Sequence, residues 1–124
     1  AEIEKDKGKG KNSISVGNLE TKRDFTDVRD MVKAYILLLE KGKSGEIYNV
    51  GSGKSHRIGD IHDRLVSLSS EKIEIEIDPA RLRPSDVSDI YSDNTKIEKE
   101  TGWKAEIPLE KTLEDTLNYW RQNS

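Results

Sequence analysis

Residues Glu46 to Asp60 read EIYNVGSGKSHRIGD, a short β-prone run that enters a glycine turn and leaves it in a helical pattern. That is the outline of a phosphate-cradling loop, but the spacing fails. The motif needs a glycine five residues before its Gly-Lys-Ser, and that position is Tyr48, so the entering turn of the N–H cradle is missing. No acidic residue at the end of an apolar strand offers itself to magnesium either. The stretch reads instead as a joint between a strand and a helix. Its glycines allow positive φ at a tight corner, and Ser55 caps or approaches the next helix.

Outward from this joint the pattern is α/β. Upstream, Ser13–Val16 alternates as a short strand ending at Gly17-Asn18. A helix then starts at a Thr26 or Asp27 cap, with Asp30 in its first turn. Val28, Met31, Val32, Tyr35, Ile36 and Leu39 form its apolar stripe, and Gly42 is placed as a left-handed terminator. Glu46–Val50 is the next strand. Downstream, Ile58, Ile61, Leu65 and Leu68 stripe a helix, and Ile73, Ile75 and Ile77 alternate inward along a half-buried strand. Residues 78–93 carry two prolines and no period, with one short strand near Asp89–Tyr91. Thr95 and Glu98 form a possible capping box for a helix ending at Gly102, Trp103 folds back as a plug, and a last helix stripes Leu109, Leu113, Leu117 and Trp120. The expectation is a small mixed sheet of short strands with about four helices. The lysine-glycine opening, residues 1–12, reads as a connector or frayed terminus, and residues 13–124 as one α/β domain.

Composition narrows the function. With 36% charged residues and a net charge of −3, both signs interspersed, there is no basic stripe for nucleic acid. The absence of cysteine excludes disulfides and thiolate metal sites and suits a reducing cytoplasm. The longest apolar run, Tyr35 to Leu39, is far too short for a membrane span. His56 and His62 form no HExxH pair, so no metal is expected. His62 lies at the edge of its helix stripe and reads as a boundary residue with one nitrogen wet. A proton-transfer role would need a carboxylate and a cleft. Arg23, Arg81, Arg83 and Asp86 cluster beside prolines and loop signals. Their chemistry suits phosphates and sugar hydroxyls, and it also suits salt bridges.

Four stretches then occur in order: RDFTDVRDMVKAYILLLE (23–40), GEIYNVGSGKSHRIGDI (45–61), DPARLRPSDV (78–87) and DNTKIEKETGWKAEIPLEKTLEDTLNYW (93–120). Together they resemble the C-terminal part of extended short-chain dehydrogenase/reductases, nearest to the GDP-mannose 4,6-dehydratases and GDP-4-keto-6-deoxymannose reductases. The resemblance implies a fragment of a Rossmann-type enzyme with its substrate-binding subdomain. It also implies nucleotide-sugar contacts: Arg83 on the diphosphate, Asp86 on ribose hydroxyls and Arg23 as a second phosphate contact. In that family NADP is held by a TGxxGxxG turn, and a Tyr-xxx-Lys pair carries the chemistry. Neither is present here, because Tyr35, Tyr48, Tyr91 and Tyr119 are followed four places on by Leu39, Ser52, Thr95 and Asn123. The chain is therefore expected to hold no cofactor of its own, to have no catalytic residue and to be inactive alone.

The sequence departs from the family at His62, Ser88, Asp89 and Ser92, which put polarity where the family is apolar. Burying an unpaired polar group costs on the order of 2–7 kcal/mol and a lone carboxylate more, so these positions are expected at solvent, on an altered interaction face. The leading expectation is a stand-alone, engineered nucleotide-sugar-binding domain, monomeric, taking GDP or a GDP-sugar weakly. Two alternatives are a scaffold that binds another protein through its former interdomain face, and a fragment active only with an N-terminal half.

Overall fold

The computed structural model describes residue 3 and residues 12–82 and 87–123. Arg83 and Asp86 lie outside the described residues, as does most of the lysine-glycine opening. Among the described residues five strands and four α-helices follow one another: β1 (Ser13–Val16), β2 (Lys22–Asp24), α1 (Val28–Lys41), β3 (Ser55–Arg57), α2 (Ile58–Ser67), β4 (Glu74–Ile77), β5 (Asp89–Ile90), α3 (Thr95–Thr101) and α4 (Leu109–Asn123); the four helices, β1, β4 and β5 were expected, and β2 and β3 were not. The fold is α/β. The chain divides into two compact units. One is residues 1–21, 57–88 and 110–124, and the other is residues 22–56 and 89–109.

In the first unit β1 and β4 run parallel, with Ile14 opposite Ile75 and Val16 opposite Ile77. The expected inward face of β4 is a correction, since Ile75 is 37% and Ile77 63% exposed. Among the described residues β4 pairs with β1 alone, so both strands are edges of a two-stranded sheet. Helix α2 buries Ile61 as expected. It starts at Arg57 without a side-chain cap, so Ser55, which lies in β3, is not its cap. Two of its first N–H groups are met by the preceding chain: Ile58 donates to the Thr21 carbonyl (3.0 Å) and Gly59 to that of Leu19 (2.9 Å). Arg57 itself bridges Glu20 (2.7 Å) and Asp60 (2.9 Å).

The second unit holds the sheet β3-β2-β5, with Arg23 opposite Ile90 in the parallel β2–β5 pair. Its core is Ala34 of α1, Ile97 of α3 and the plug Trp103, with Leu37, Leu38, Tyr48 and Val50 packed around them. Asp27 caps α1 through the Arg29 N–H (2.9 Å), as the sequence indicates. The stripe does not point inward as expected: Val28, Val32, Tyr35, Ile36 and Leu39 are exposed, and the buried face carries Asp30 and Ala34. Gly42 is also a correction, with φ −67° rather than a left-handed value. A β-carbon there would sit 2.5 Å from the Leu38 carbonyl oxygen, so glycine is needed for space, and the positive φ falls at Gly45.

Two further local readings change. Glu46–Val50 forms no ladder among the described residues and is not a strand, although Tyr48 and Val50 are half-buried as a strand would place them. The first turn of α3 is met by Asp93, whose Oδ1 accepts from the N–H (2.9 Å) and Oγ (2.6 Å) of Thr95, in place of a Thr95–Glu98 box. Gly102 ends that helix at φ 76° as anticipated.

Asp30 ties the C-terminal motif to α1. It is fully buried, and its Oδ2 accepts from the N–H groups of Glu106 (2.9 Å) and Ile107 (2.8 Å). The Trp103 indole donates to the Asp30 carbonyl at 3.0 Å. Trp103→Ala is expected to cost about 3–5 kcal/mol through the cavity it leaves. Asp30→Ala should cost about 2–4 kcal/mol by orphaning two amides. Urea unfolding monitored by circular dichroism measures both, and values under about 1 kcal/mol would refute this account of the core.

Candidate functional site

The second unit carries two open clefts that share Tyr91, Ser92 and Asp93 on their walls. The first, about 660 Å³, is lined by Arg23, Asp24, Tyr48 and Tyr91 among others. The second, about 790 Å³, is lined by Ser52, Lys54, Tyr91, Lys99 and Lys104 among others. Arg23, expected as a phosphate contact, thus stands on a cleft wall, half-buried, with its Nη1 donating to the Lys22 carbonyl at 2.7 Å. Strand β2 positions it, because pairing with β5 fixes the backbone on both sides of the cleft.

The organising residue beside it is Asp24, which sequence reasoning overlooked. Its carboxylate accepts from Ser52 N–H (2.9 Å), Ser52 Oγ (2.5 Å), Gly53 N–H (2.9 Å) and Ser92 N–H (3.0 Å). Burial pushes the Asp24 carboxyl up, but the Ser52 hydroxyl and the three N–H groups together outweigh it, and the pKa ends below the usual carboxylate value. Asn94 completes the frame. Its Oδ1 accepts from the Gly51 N–H (3.1 Å) and Ser92 Oγ (2.8 Å), and its Nδ2 donates to the Gly51 carbonyl (2.6 Å). The only sequence signal for this pair was adjacency, Asp24 beside Arg23 and Asn94 within the DNT motif.

This geometry decides what the glycine corner can hold. The N–H groups of Ser52 and Gly53, the ones a phosphate would use, already point at the protein's own carboxylate. A β-carbon at Gly51 would sit 2.6 Å from Ser92 Cβ and 2.7 Å from Asp24 Oδ2, so that space is filled. Gly53 supplies the left-handed turn, at φ 74°. The residues present do not fit a dinucleotide pyrophosphate at this corner. Among the described residues no group of histidine and carboxylate side chains is placed to hold a metal ion. No helix among them is long and apolar enough to cross a membrane.

The remaining expected positions separate. Ser88 and Asp89 are exposed, as anticipated. Ser92 is half-buried and belongs to the Asp24 frame, so it is not an exposed interaction residue. The His62 side chain is only 13% exposed, with Nε2 buried and lacking a hydrogen-bond partner, while Nδ1 lies 3.2 Å from Asp63 Oδ1. The ring is therefore mostly buried, with Nδ1 on the side of the exposed Asp63 carboxylate. Tyr48 projects its hydroxyl onto Glu100 Oε2 (2.5 Å) and accepts from the Lys43 N–H (3.0 Å). Lys96 lies 4.6 Å from its ring centre, an arrangement that makes this tyrosine a structural post.

Comparison with known proteins fits this frame. The profile of the family described as GDP-mannose 4,6 dehydratase matches residues 2–116. The chain belongs to that family. Over 109 residues it is 35% identical to the GDP-6-deoxy-D-mannose reductase of Pseudomonas aeruginosa, covering 88% of this chain and 36% of the reductase. It is 36% identical over 102 residues to UDP-arabinose 4-epimerase 1 of Arabidopsis thaliana, covering 81% of this chain and 24% of the epimerase. Among solved structures, RMD from Pseudomonas aeruginosa complexed with NADPH aligns with a TM-score of 0.88 at 30% identity, over 99% of this chain and 41% of that one. UDP-glucose 4-epimerase from Bifidobacterium longum, in complex with NAD+ and UDP, aligns with a TM-score of 0.77 at 25% identity, over 90% of this chain and 35% of that one. This member of the GDP-mannose 4,6 dehydratase family thus spans between 24% and 41% of the length of these relatives.

Because the Asp24 pKa is lower in the folded chain than in the unfolded one, its contribution to stability is present above the unfolded value, about 3.9. That contribution disappears as pH falls through the folded value. Asp24→Asn should therefore be less stable than wild type at neutral pH and lose less on acidification. Urea midpoints taken between about pH 7 and about pH 2.5 check this, and parallel declines for the two proteins would contradict it.

Proposed function

We propose that this chain is the nucleotide-sugar-binding part of a GDP-sugar dehydratase or reductase, and that it does not catalyse the reaction by itself. In this reading the cleft along β2 takes the diphosphate of GDP or a GDP-sugar. Arg23 forms one charge-assisted contact to it, and Arg83 with Asp86 supply a second phosphate contact and a ribose-hydroxyl contact. The observation that carries the reading is Arg23 on a cleft wall, directly after which Asp24 is tied to Ser52, Gly53 and Ser92. An arginine needs a stiff base to hold a fork of N–H groups toward a phosphate, and the four hydrogen bonds to its neighbour provide one.

Family membership supports the same reading, as does the absence of Tyr-xxx-Lys and of a TGxxGxxG turn from these 124 residues. Hydride and proton transfer then belong to residues outside them. A cleft this open encloses a nucleotide incompletely, and pockets that bind tightly bury most of their ligand, so affinity should be weak, with Kd on the order of a millimolar.

The test is an NMR titration of the labelled chain with GDP. Amides of Arg23, Asp24 and Tyr91 should shift, with saturation near about 1–5 mM. Arg23→Ala and Arg83→Ala should each weaken binding by about tenfold or more, as loss of a charge-assisted phosphate contact requires. No shift up to about 10 mM would overturn the binding reading. Consumption of GDP-mannose by the isolated chain with added NADP would overturn the assignment of chemistry to other residues.

A further inference from the structure

The cleft of about 790 Å³ lies wholly within the second unit and has no part in the nucleotide-sugar reading beyond the wall it shares with its neighbour. Local structure sets its walls. In α3, Ile97 and Thr101 stand one turn apart and are buried, so Thr95, Glu98 and Lys99 are turned away from the core and line the cleft. Lys96 leaves on the other flank, over the Tyr48 ring and onto Glu46. The left-handed turn at Gly102 brings Lys104 round to the same wall, and Lys54 follows the left-handed Gly53 on the opposite side. Tyr91, directly after β5, is 62% exposed and stands between this cleft and the one along β2.

The charges on this wall do not cancel. It carries three lysines and two carboxylates. Asp93 is already engaged by the N–H and hydroxyl of Thr95. Glu98 lies 3.9 Å from Lys104, beyond hydrogen-bond reach, and its carboxylate accepts no hydrogen bond among the described residues. The ammonium groups of Lys54 and Lys99 have no partner among the described residues, whereas those of Lys33, Lys43 and Lys96 are each held by a glutamate. A concavity with positive charge in excess draws anions toward it. A lone inorganic anion would leave most of the space and the Tyr91 ring uncovered. An extended nucleic-acid strand would need a basic track beyond the cleft, and a net charge of −3 with both signs interspersed supplies none. The volume falls in the range of sites that take one small organic ligand.

We propose that this cleft is a second nucleotide site, which takes a free nucleoside polyphosphate. The base stacks on Tyr91, the phosphates lie among Lys54, Lys99 and Lys104, and the ribose hydroxyls donate to the Glu98 carboxylate. Every base has a π-face, so stacking on tyrosine makes the site tolerant of base identity. The inference rests on this cleft alone and not on the reading of the β2 cleft, so either can fail without the other.

The test is an NMR titration of the labelled chain with magnesium-free ATP, and separately with its two parts, adenosine and inorganic pyrophosphate. ATP should shift the amides of Lys54, Thr95, Lys99 and Lys104 with a Kd of about 1 mM or below, and each part should bind about tenfold more weakly or worse. The double variant Lys54→Glu, Lys99→Glu should weaken ATP by about tenfold or more, and Tyr91→Ala should weaken ATP but not pyrophosphate. All three side chains are exposed, so circular dichroism of the variants should match wild type. No shift at these amides up to about 10 mM ATP, or undiminished binding by the double variant, overturns the proposal. Pyrophosphate binding as tightly as ATP overturns the assignment of a nucleotide. Shifts confined to Arg23 and Asp24 would refute this site and leave the β2 reading standing, and shifts confined to Lys54, Thr95 and Lys99 would do the reverse.

Discussion

A carboxylate withdrawn from water must be met by hydrogen-bond donors, and the second unit is built on that requirement. Asp24, Asp27 and Asp30 stand three residues apart at the start of α1, and each gathers a different piece of backbone. Asp24 holds the glycine corner and Ser92, Asp27 starts the helix, and Asp30 draws in the segment after Trp103. Asp30 Oδ1 is buried without a hydrogen bond, and Lys33 Nζ at 3.8 Å is the cation nearest to hand. With so few large apolar residues fully buried, these bonds give the unit its specific geometry, and hydrophobic packing closes around them.

The same arrangement explains a local deception. A glycine corner between an extended run and a helix has the chemistry to receive a phosphate, and its amides are in fact turned toward an anion. That anion is Asp24, supplied from 28 residues upstream of Ser52. The protein fills its own anion site, and in doing so stiffens the strand that bears Arg23. Ligand chemistry and structural chemistry are the same here, N–H groups around a negative charge, and only the location of the charge separates them.

Much of the architecture was legible from residues. Four helices, the strand Ser13–Val16, the Asp27 cap, the Gly102 terminator and the buried Trp103 all follow from local rules that act within a few residues. Motif resemblance singled out Arg23 as a candidate phosphate contact, and the structure has it on a cleft wall. The hub residues Asp24 and Asn94 were not legible, because the partners of Asp24 lie 28 to 68 residues away and Asn94 reaches Gly51 43 residues away, and no local pattern announces such bonds. Nor was the role of Ser92: a serine within a polar loop looks exposed until its amide is found on Asp24.

The apolar stripes show where periodicity stops. Spacing correctly places Val28, Val32, Tyr35, Ile36 and Leu39 on one side of α1, and Ile75 and Ile77 on one side of β4. It says nothing about what stands opposite. In the structure those sides are exposed, and α1 buries its other face. The sequence by itself determined the α/β class, the four helices, the family signature and the lack of the catalytic pair, because each is written in local spacing and residue type. Only the tertiary structure decided which face of α1 is core, where the carboxylates find their donors and why the glycine corner is closed to phosphate. Those outcomes depend on pairings across long stretches of chain, and burial is a property of neighbours that a one-dimensional pattern does not contain.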